Sequence, residues 1–478
     1  MPAPIDPDEL AVFHRVLAAA ADLDEKDPQS IEVQRAVGHM FKKAKRTRRR
    51  AARAAVRAAD EAVMERTATG SADRIDDETA GILLSTPTVG ESAGELTRPR
   101  NCYICKQLYT RVDAFYHQLC PECAAMSHAK RDARCDLRGR RALLTGGRAK
   151  IGMYIALRLL RDGADLTITT RFPVDAARRF AALADSADWL DRLHIVGIDL
   201  RDPAQVVALA DTVAERGHLD IIVNNAAQTV RRSPGAYSAL AAAESADVPP
   251  ELAARIVTFG RASAAHPAAL SEALSDHGDD ATHAAALTAL ALRGGSASAA
   301  RIADGSAIDA GGLLPDLVRT NSWVQTVERI EPLELLEVQL CNSVAPFILL
   351  SKLRPALEAS PARRKYVVNV SAMEGQFSRA YKGPGHPHTN MAKAALNMLT
   401  RTSSEEMFGT GILMTAVDTG WITDERPHYT KMRLAEEGFR APLDLVDGAA
   451  RVYDPIVQGE NGIDLYGCFL KDYRPSPW

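Results

Sequence analysis

From residue 137 onward, short apolar runs alternate with stretches whose apolar positions recur at helical spacing. Runs at 141–144, 165–170, 193–198 and 219–223 read as buried strands, and the segments between them, 153–160, 174–184 and 203–215, read as helices. The alternation resumes with a long helix at 332–356, a strand at 365–370, a helix at 390–407, a strand at 412–417 and a last strand within 465–470. This predicts an α/β fold, a doubly wound parallel sheet with right-handed crossovers. Residues 231–322 break the pattern, being rich in Ala, Ser, Gly and Asp and poor in large apolar residues. They read as an insertion with helical pieces at 249–259 and 282–292, leaving the sheet at a strand C-terminus, where such sheets bind ligands. A lid and a surface excursion fit that composition equally.

Ahead of the sheet the pattern differs. Asp6-Pro7 and Asp27-Pro28 each set a capping aspartate before a proline and predict two helix starts. The second helix, running to about residue 64, carries Lys42, Lys43, Lys45, Arg46, Arg48, Arg49, Arg50, Arg53 and Arg57. Such a run suits nucleic acid or an acidic partner, or a solvated face that pairs with acids elsewhere. Residues 67–100, rich in Thr, Ser, Gly and acids, read as a linker. Cys102-Tyr-Ile-Cys105 and Cys120-Pro-Glu-Cys123 follow, with fourteen residues between the pairs. Two CxxC pairs at this separation predict four thiolates around zinc, in a small zinc-ribbon-like module. With every position taken by a protein ligand, the zinc should be structural. The expected order is a helical region at 1–66, a linker at 67–100, the zinc module at 101–136 and the sheet domain at 137–478.

The chain has 478 residues, is 46% hydrophobic and carries a net charge of −3, the balance of an ordinary soluble protein. No apolar run reads as long enough to span a bilayer, and the N-terminus lacks the apolar core of a signal peptide. The expected location is the cytoplasm, without a membrane partner.

The stretch Thr145-Gly146-Gly147-Arg148-Ala149-Lys150-Ile151-Gly152 stands between the first strand and first helix of the sheet domain. A strand, a tight glycine turn and a helix N-terminus together form a pyrophosphate cradle. Here the chain resembles the short-chain dehydrogenase/reductase superfamily, across roughly 290 residues by the strand and helix periods. The resemblance implies a Rossmann-like fold, a nicotinamide dinucleotide, a small carbonyl or alcohol substrate and a homo-oligomer. Thr145, Gly146 and Gly152 match the family's TGxxxGxG turn, with Lys150 at the middle glycine. Asp199-Leu200 resembles the pair that contacts adenine. Asn224-Asn225-Ala226-Ala227 resembles the NNAG element, with Ala227 for glycine. Arg171 follows the second strand, where members that prefer NAD carry an acid. With Arg148 and Lys150 nearby, it favours NADP over NAD. Gly420 and Thr423 resemble the PG-x-x-x-T segment beyond the sixth strand, with Thr419 for proline.

The family's catalytic groups are Asn, Ser, Tyr and Lys. Asn342 and Lys393 match two of them, and the resemblance implies that Lys393 also binds the cofactor's ribose and assists the proton donor. The tyrosine position is Thr389 and the serine position is Ala372, with Ser371 just before it. An aliphatic hydroxyl is far too weak an acid to replace a tuned phenol. The loop before Lys393 offers Tyr381, Lys382, His386 and His388 as a relocated proton donor, with Tyr381 of the right chemical type and His388 nearest the vacated position. Two readings follow from this departure. One is an oxidoreductase with a rearranged donor, and the other is a dinucleotide-binding pseudoenzyme that senses or holds partners.

Overall fold

The computed structural model describes residues 5–71, 90–245, 247–260, 263, 266–267, 313–314, 316–422 and 425–478. The chain opens with α1 (Pro7–Ala21) and α2 (Pro28–Glu65). Asp6 caps the first through Asp8 N at 2.7 Å, and Asp27 caps the second through Gln29 N at 2.8 Å. Antiparallel strands β1 (Ser92–Asn101) and β2 (Leu108–Asp113) follow, then α3 (Pro121–Asp132). Asp60, near the end of α2, accepts hydrogen bonds from Thr97 N and Arg98 N, which anchors the long helix to β1.

The sheet domain contributes β3 (Arg141–Leu144), α4 (Lys150–Arg161), β4 (Asp165–Thr170), α5 (Pro173–Ala181), β5 (Leu193–Gly197), α6 (Pro203–Glu215) and β6 (Ile221–Asn224). The described part of the insertion adds α7 (Ser238–Glu244), α8 (Pro250–Ala253) and β7 (Ile256–Thr258). Beyond it come α9 (Pro332–Gln339), α10 (Ala345–Glu358), β8 (Lys365–Ser371), α11 (Pro387–Phe408) and β9 (Ile412–Asp418). The tail holds α12 (His428–Glu436), α13 (Leu445–Glu460), β10 (Phe469–Lys471) and β11 (Arg474–Ser476).

Nine strands form one sheet in the order β11-β10-β9-β8-β6-β3-β4-β5-β7, parallel throughout except for the β10–β11 pair. The expected Rossmann-like, doubly wound sheet is therefore present. Its central strands are buried on both faces, which is why they read as unbroken apolar runs. The chain winds outward from β3 in both directions, so the crevice between β3 and β6 is the switch point. One apolar cluster fills each face: Ile155, Leu159, Phe180 and Tyr453 on one, Leu209, Leu349, Leu353 and Leu357 on the other.

Three expectations need correction. The reading of 67–100 as linker misses β1, whose strand buries only Leu96 and so shows no apolar alternation. The helix expected at 249–259 is one turn, α8, followed by β7, because Ile256-Val257-Thr258 is β-branched and finds the free edge of β5. The helical piece expected at 282–292 lies outside the described residues. Finally, the stretch Pro332–Glu358 is, by length and composition, apolar enough to cross a membrane. Its Leu349, Leu353 and Leu357 belong to the core, and Glu334 and Glu337 are buried within it, as in a core helix.

Candidate functional site

The glycine turn forms at the C-terminal end of β3. Gly146 has φ +69° and Lys150 φ +52°, so the backbone keeps a left-handed residue where the resemblance expects glycine. A Cβ on Gly152 would lie 2.0 Å from Gly146 O, and one on Gly147 would lie 2.6 Å from Ile168. Asn225 Nδ2 donates to Thr145 O at 3.1 Å and Gly146 O at 3.0 Å. The amides of Asn225 and Ala226 both donate to Thr145 Oγ1 at 3.0 Å. Thr145, Asn225 and Ala226 thus hold the turn against β6, at the point where α4 begins with Lys150 and Ile151.

At one side of this turn lie the cations. Arg148 pairs with Asp175 at 2.5 Å and lies over the Phe172 ring. Arg171 lies over the rings of Phe172 and Tyr237, and Nη2 donates to the Tyr237 hydroxyl at 3.4 Å. Burial raises the Tyr237 pKa, but Arg171, Arg232 and Arg201 outweigh it and hold the phenol below its ordinary value. Asp199 accepts from Arg201 at 2.9 and 2.6 Å, with His266 at 3.3 Å. These cations overcome the burial penalty and keep its carboxyl well below the usual range. Leu200 is buried against the sheet.

On the other side α9 and α10 are joined through a π-helical turn, Leu340–Val344, which carries Asn342. Asn342 Oδ1 accepts from Gln228 N at 2.7 Å, and Nδ2 donates to Gln228 O at 2.9 Å. Helix α11 packs against this turn. Lys393 is buried and donates from Nζ to Val370 O at 2.7 Å. Burial pushes its ammonium down to about 8, with Cys341 and Glu374 opposing the shift. Thr389, one turn earlier, is buried, and its hydroxyl makes no hydrogen bond among the described residues. His388 is buried too, and neither ring nitrogen is hydrogen-bonded among the described residues. Burial, with His386 nearby, pushes it down to about 4. Ser371 Oγ is committed to Asn397 Oδ1 at 2.6 Å. Tyr381 is 74% exposed on the loop surface, apart from the buried group around Lys393.

Gly420, at φ +77°, ends the turn beyond β9, while Thr423 lies outside the described residues. Two groups beside this turn escaped the sequence reading. Asp418 closes β9 in register with Ser371, and burial pushes its carboxyl up to about 6, Asp472 and Glu374 adding to the rise while Lys471 and Arg451 oppose it. An acid closing an otherwise apolar strand was the available signal. The other is Tyr103, whose hydroxyl accepts from Trp421 N at 2.9 Å.

In the small module the sulfurs of Cys102, Cys105, Cys120 and Cys123 lie within 4.8 Å of one another, with Cys105 and Cys120 at 3.6 Å. All seven cysteines are free thiols. A tetrahedral zinc–thiolate shell needs sulfurs about 3.8 Å apart, so the cluster fits that metal.

The family model for short chain dehydrogenases matches residues 140–247, from the glycine turn to the insertion. The chain belongs to the short-chain dehydrogenase/reductase superfamily. Asn342 and Lys393 lie beyond the matched stretch. An uncharacterised protein of Acanthamoeba polyphaga mimivirus is 30% identical over 381 residues, covering 75% of this chain and 72% of its own. A probable oxidoreductase of Streptomyces antibioticus is 42% identical over 91 residues, 19% of this chain and 30% of that protein. The crystal structure of NADPH-bound carbonyl reductase from chicken fatty liver has 19% identity and a TM-score of 0.43, covering 73% of this chain and 98% of that one.

Proposed function

We propose that this dehydrogenase interconverts a carbonyl and an alcohol using NADP(H), with Lys393 as the proton source. The observation that carries the reading is the buried Lys393 ammonium one turn beyond Thr389. When bound, the nicotinamide supplies or accepts the hydride. The chain supplies the rest. The Thr145–Gly152 turn receives pyrophosphate through α4 amides, and Arg171 meets a 2′-phosphate. Asn342 fixes the segment after β6 through Gln228. In reduction Lys393 Nζ releases a proton toward the carbonyl oxygen while the carbonyl carbon takes the hydride. In oxidation the neutral amine takes the proton back. Thr389 Oγ1, buried and without a hydrogen-bond partner among the described residues, stands at the position of the family's tyrosine. A proton donor works best with a pKa near the working pH, which favours Lys393 over His388. Tyr381, far out on the surface, has no part in the step.

The sign of the pH dependence follows. Reduction needs the ammonium, so its rate should hold below about pH 8 and fall above it. A panel of aldehydes and ketones with NADPH, run across pH, tests this. A reduction rate that rises through that window would contradict Lys393 as the acid, and tight NADPH binding without turnover would favour the pseudoenzyme.

Zinc at the four cysteines would be a structural cross-link, since no ligand position remains open for water. A second reading concerns α2. Among the described residues no carboxylate pairs with Lys42, Lys43, Lys45, Arg46, Arg48, Arg49, Arg50, Arg53 or Arg57. Most lie on one side of the helix at about 100° per residue, with alanines opposite. Unpaired and exposed, they suit a nucleic-acid backbone. Affinity for a DNA or RNA duplex should then fall steeply with added salt, and no binding at low salt would remove this reading.

A further inference from the structure

The four-cysteine module meets the sheet domain where the functional reading places the dinucleotide. Tyr103 lies inside the first cysteine knuckle, between Cys102 and Cys105. Its hydroxyl accepts a hydrogen bond from the backbone N–H of Trp421 at 2.9 Å. Trp421 follows Gly420 in the turn that leaves β9. The next residue, Ile422, and Leu443 share one apolar cluster with Cys102, Cys120, Cys123 and Phe115. Ile151, from the glycine turn, packs against the same cluster. Gly420 packs closely on this core: a Cβ there would lie 2.6 Å from Leu443 Cδ1. Polar contacts lock the module in place around this core. The Tyr116 hydroxyl donates to Asp447 Oδ1 at 2.6 Å, and Arg131 reaches Asp444 at 2.6 Å and Asp447 at 3.1 Å. The cysteine cluster and the two turns that flank the crevice are therefore parts of one packed unit.

We propose that Tyr103 is a positioning residue that holds the Gly420–Trp421 turn for the dinucleotide, so that metal binding at the four cysteines and dinucleotide binding strengthen each other. A metal joining Cys102 to Cys120 and Cys123 fixes the knuckle that carries Tyr103. Losing the metal frees the knuckle, and the Trp421 N–H loses its fixed partner. Because the two sites share one packed unit, the coupling is reciprocal: a bound dinucleotide must retain the metal as the metal favours the dinucleotide.

The inference rests on the dehydrogenase reading, and its test separates the two. Full-length protein is loaded with zinc, and NADPH binding is followed by fluorescence titration. Tyr103→Phe keeps the ring in the apolar cluster and removes the hydroxyl. It should retain one zinc per chain, bind NADPH about three- to tenfold more weakly, and raise KM for NADPH with little change in kcat. In the unmodified protein, saturating NADPH should slow zinc transfer to a chelating dye. This second measurement needs no variant to fold. Equal NADPH affinity in Tyr103→Phe, or zinc transfer that NADPH leaves unchanged, overturns the coupling alone. Unmodified protein that binds neither NADPH nor NADH overturns the dehydrogenase reading and the coupling with it.

Discussion

The two ends of the crevice are held by different chemistry. At the Gly420 end the turn is packed against a module from another part of the chain, through Ile422, Leu443 and the Tyr103 hydroxyl. At the Arg171 end the groups that face the crevice are charged, and the insertion's own side chains touch them: Tyr237 on Arg171 and His266 on Asp199. An apolar core has nothing to exchange with an incoming ligand, so it can only hold a shape. Charged groups already engaged by neighbours can exchange those contacts for a ligand's own. The first arrangement suits positioning, and the second suits selection among ligands of different charge.

The sharpest way to break this comparison lies next to the Gly420 end. Lys393→Ala should lower kcat about 10²–10⁴-fold, the usual cost of a lost acid/base group. Thr389→Val and Tyr381→Phe should have mild effects. If Lys393→Ala were as active as the unmodified protein while His388→Ala or Tyr381→Phe abolished turnover, the proton source would have been assigned wrongly. At the Arg171 end the expected effects are smaller. Arg171→Asp should weaken NADPH binding about 10- to 100-fold relative to NADH, the scale of a lost charged hydrogen bond. Tighter binding of NADH than NADPH by the unmodified protein would contradict the role given to Arg171. Smallest is Tyr237→Ala, which frees Arg171 and should tighten NADPH binding about two- to fivefold. Weaker binding in that variant would instead make Tyr237 part of the ligand's own surroundings.

Much of the fold could be read because the sheet is buried on both faces. Its strands need no alternation to be recognised: runs like Tyr366-Val367-Val368 and Leu413-Met414 are apolar at consecutive positions. The turn at Gly146 and Gly152 was legible because close approach of backbone demands glycine, and at Gly152 a Cβ would strike Gly146 O. What stayed hidden depends on partners distant in sequence. Strand β1 buries only Leu96, so it shows no apolar alternation and is recognisable only beside β2. Tyr103 and Trp421 are 318 residues apart, and no local pattern links them. The fates of the hydroxyls were equally illegible: Ser371 is tied to Asn397 and Tyr381 points into solvent, both decided by the path of the loop after β8.

The proposed function turns on hydride transfer between a nicotinamide and a carbonyl. The direct measurement uses NADPH deuterated at C4 on either face, with the full-length zinc-loaded protein and a carbonyl substrate drawn from the panel. Deuterium from one face of the cofactor should appear on the carbinol carbon of the product. A protein that binds NADPH tightly, yet yields no labelled alcohol from any aldehyde or ketone offered, would contradict the claim.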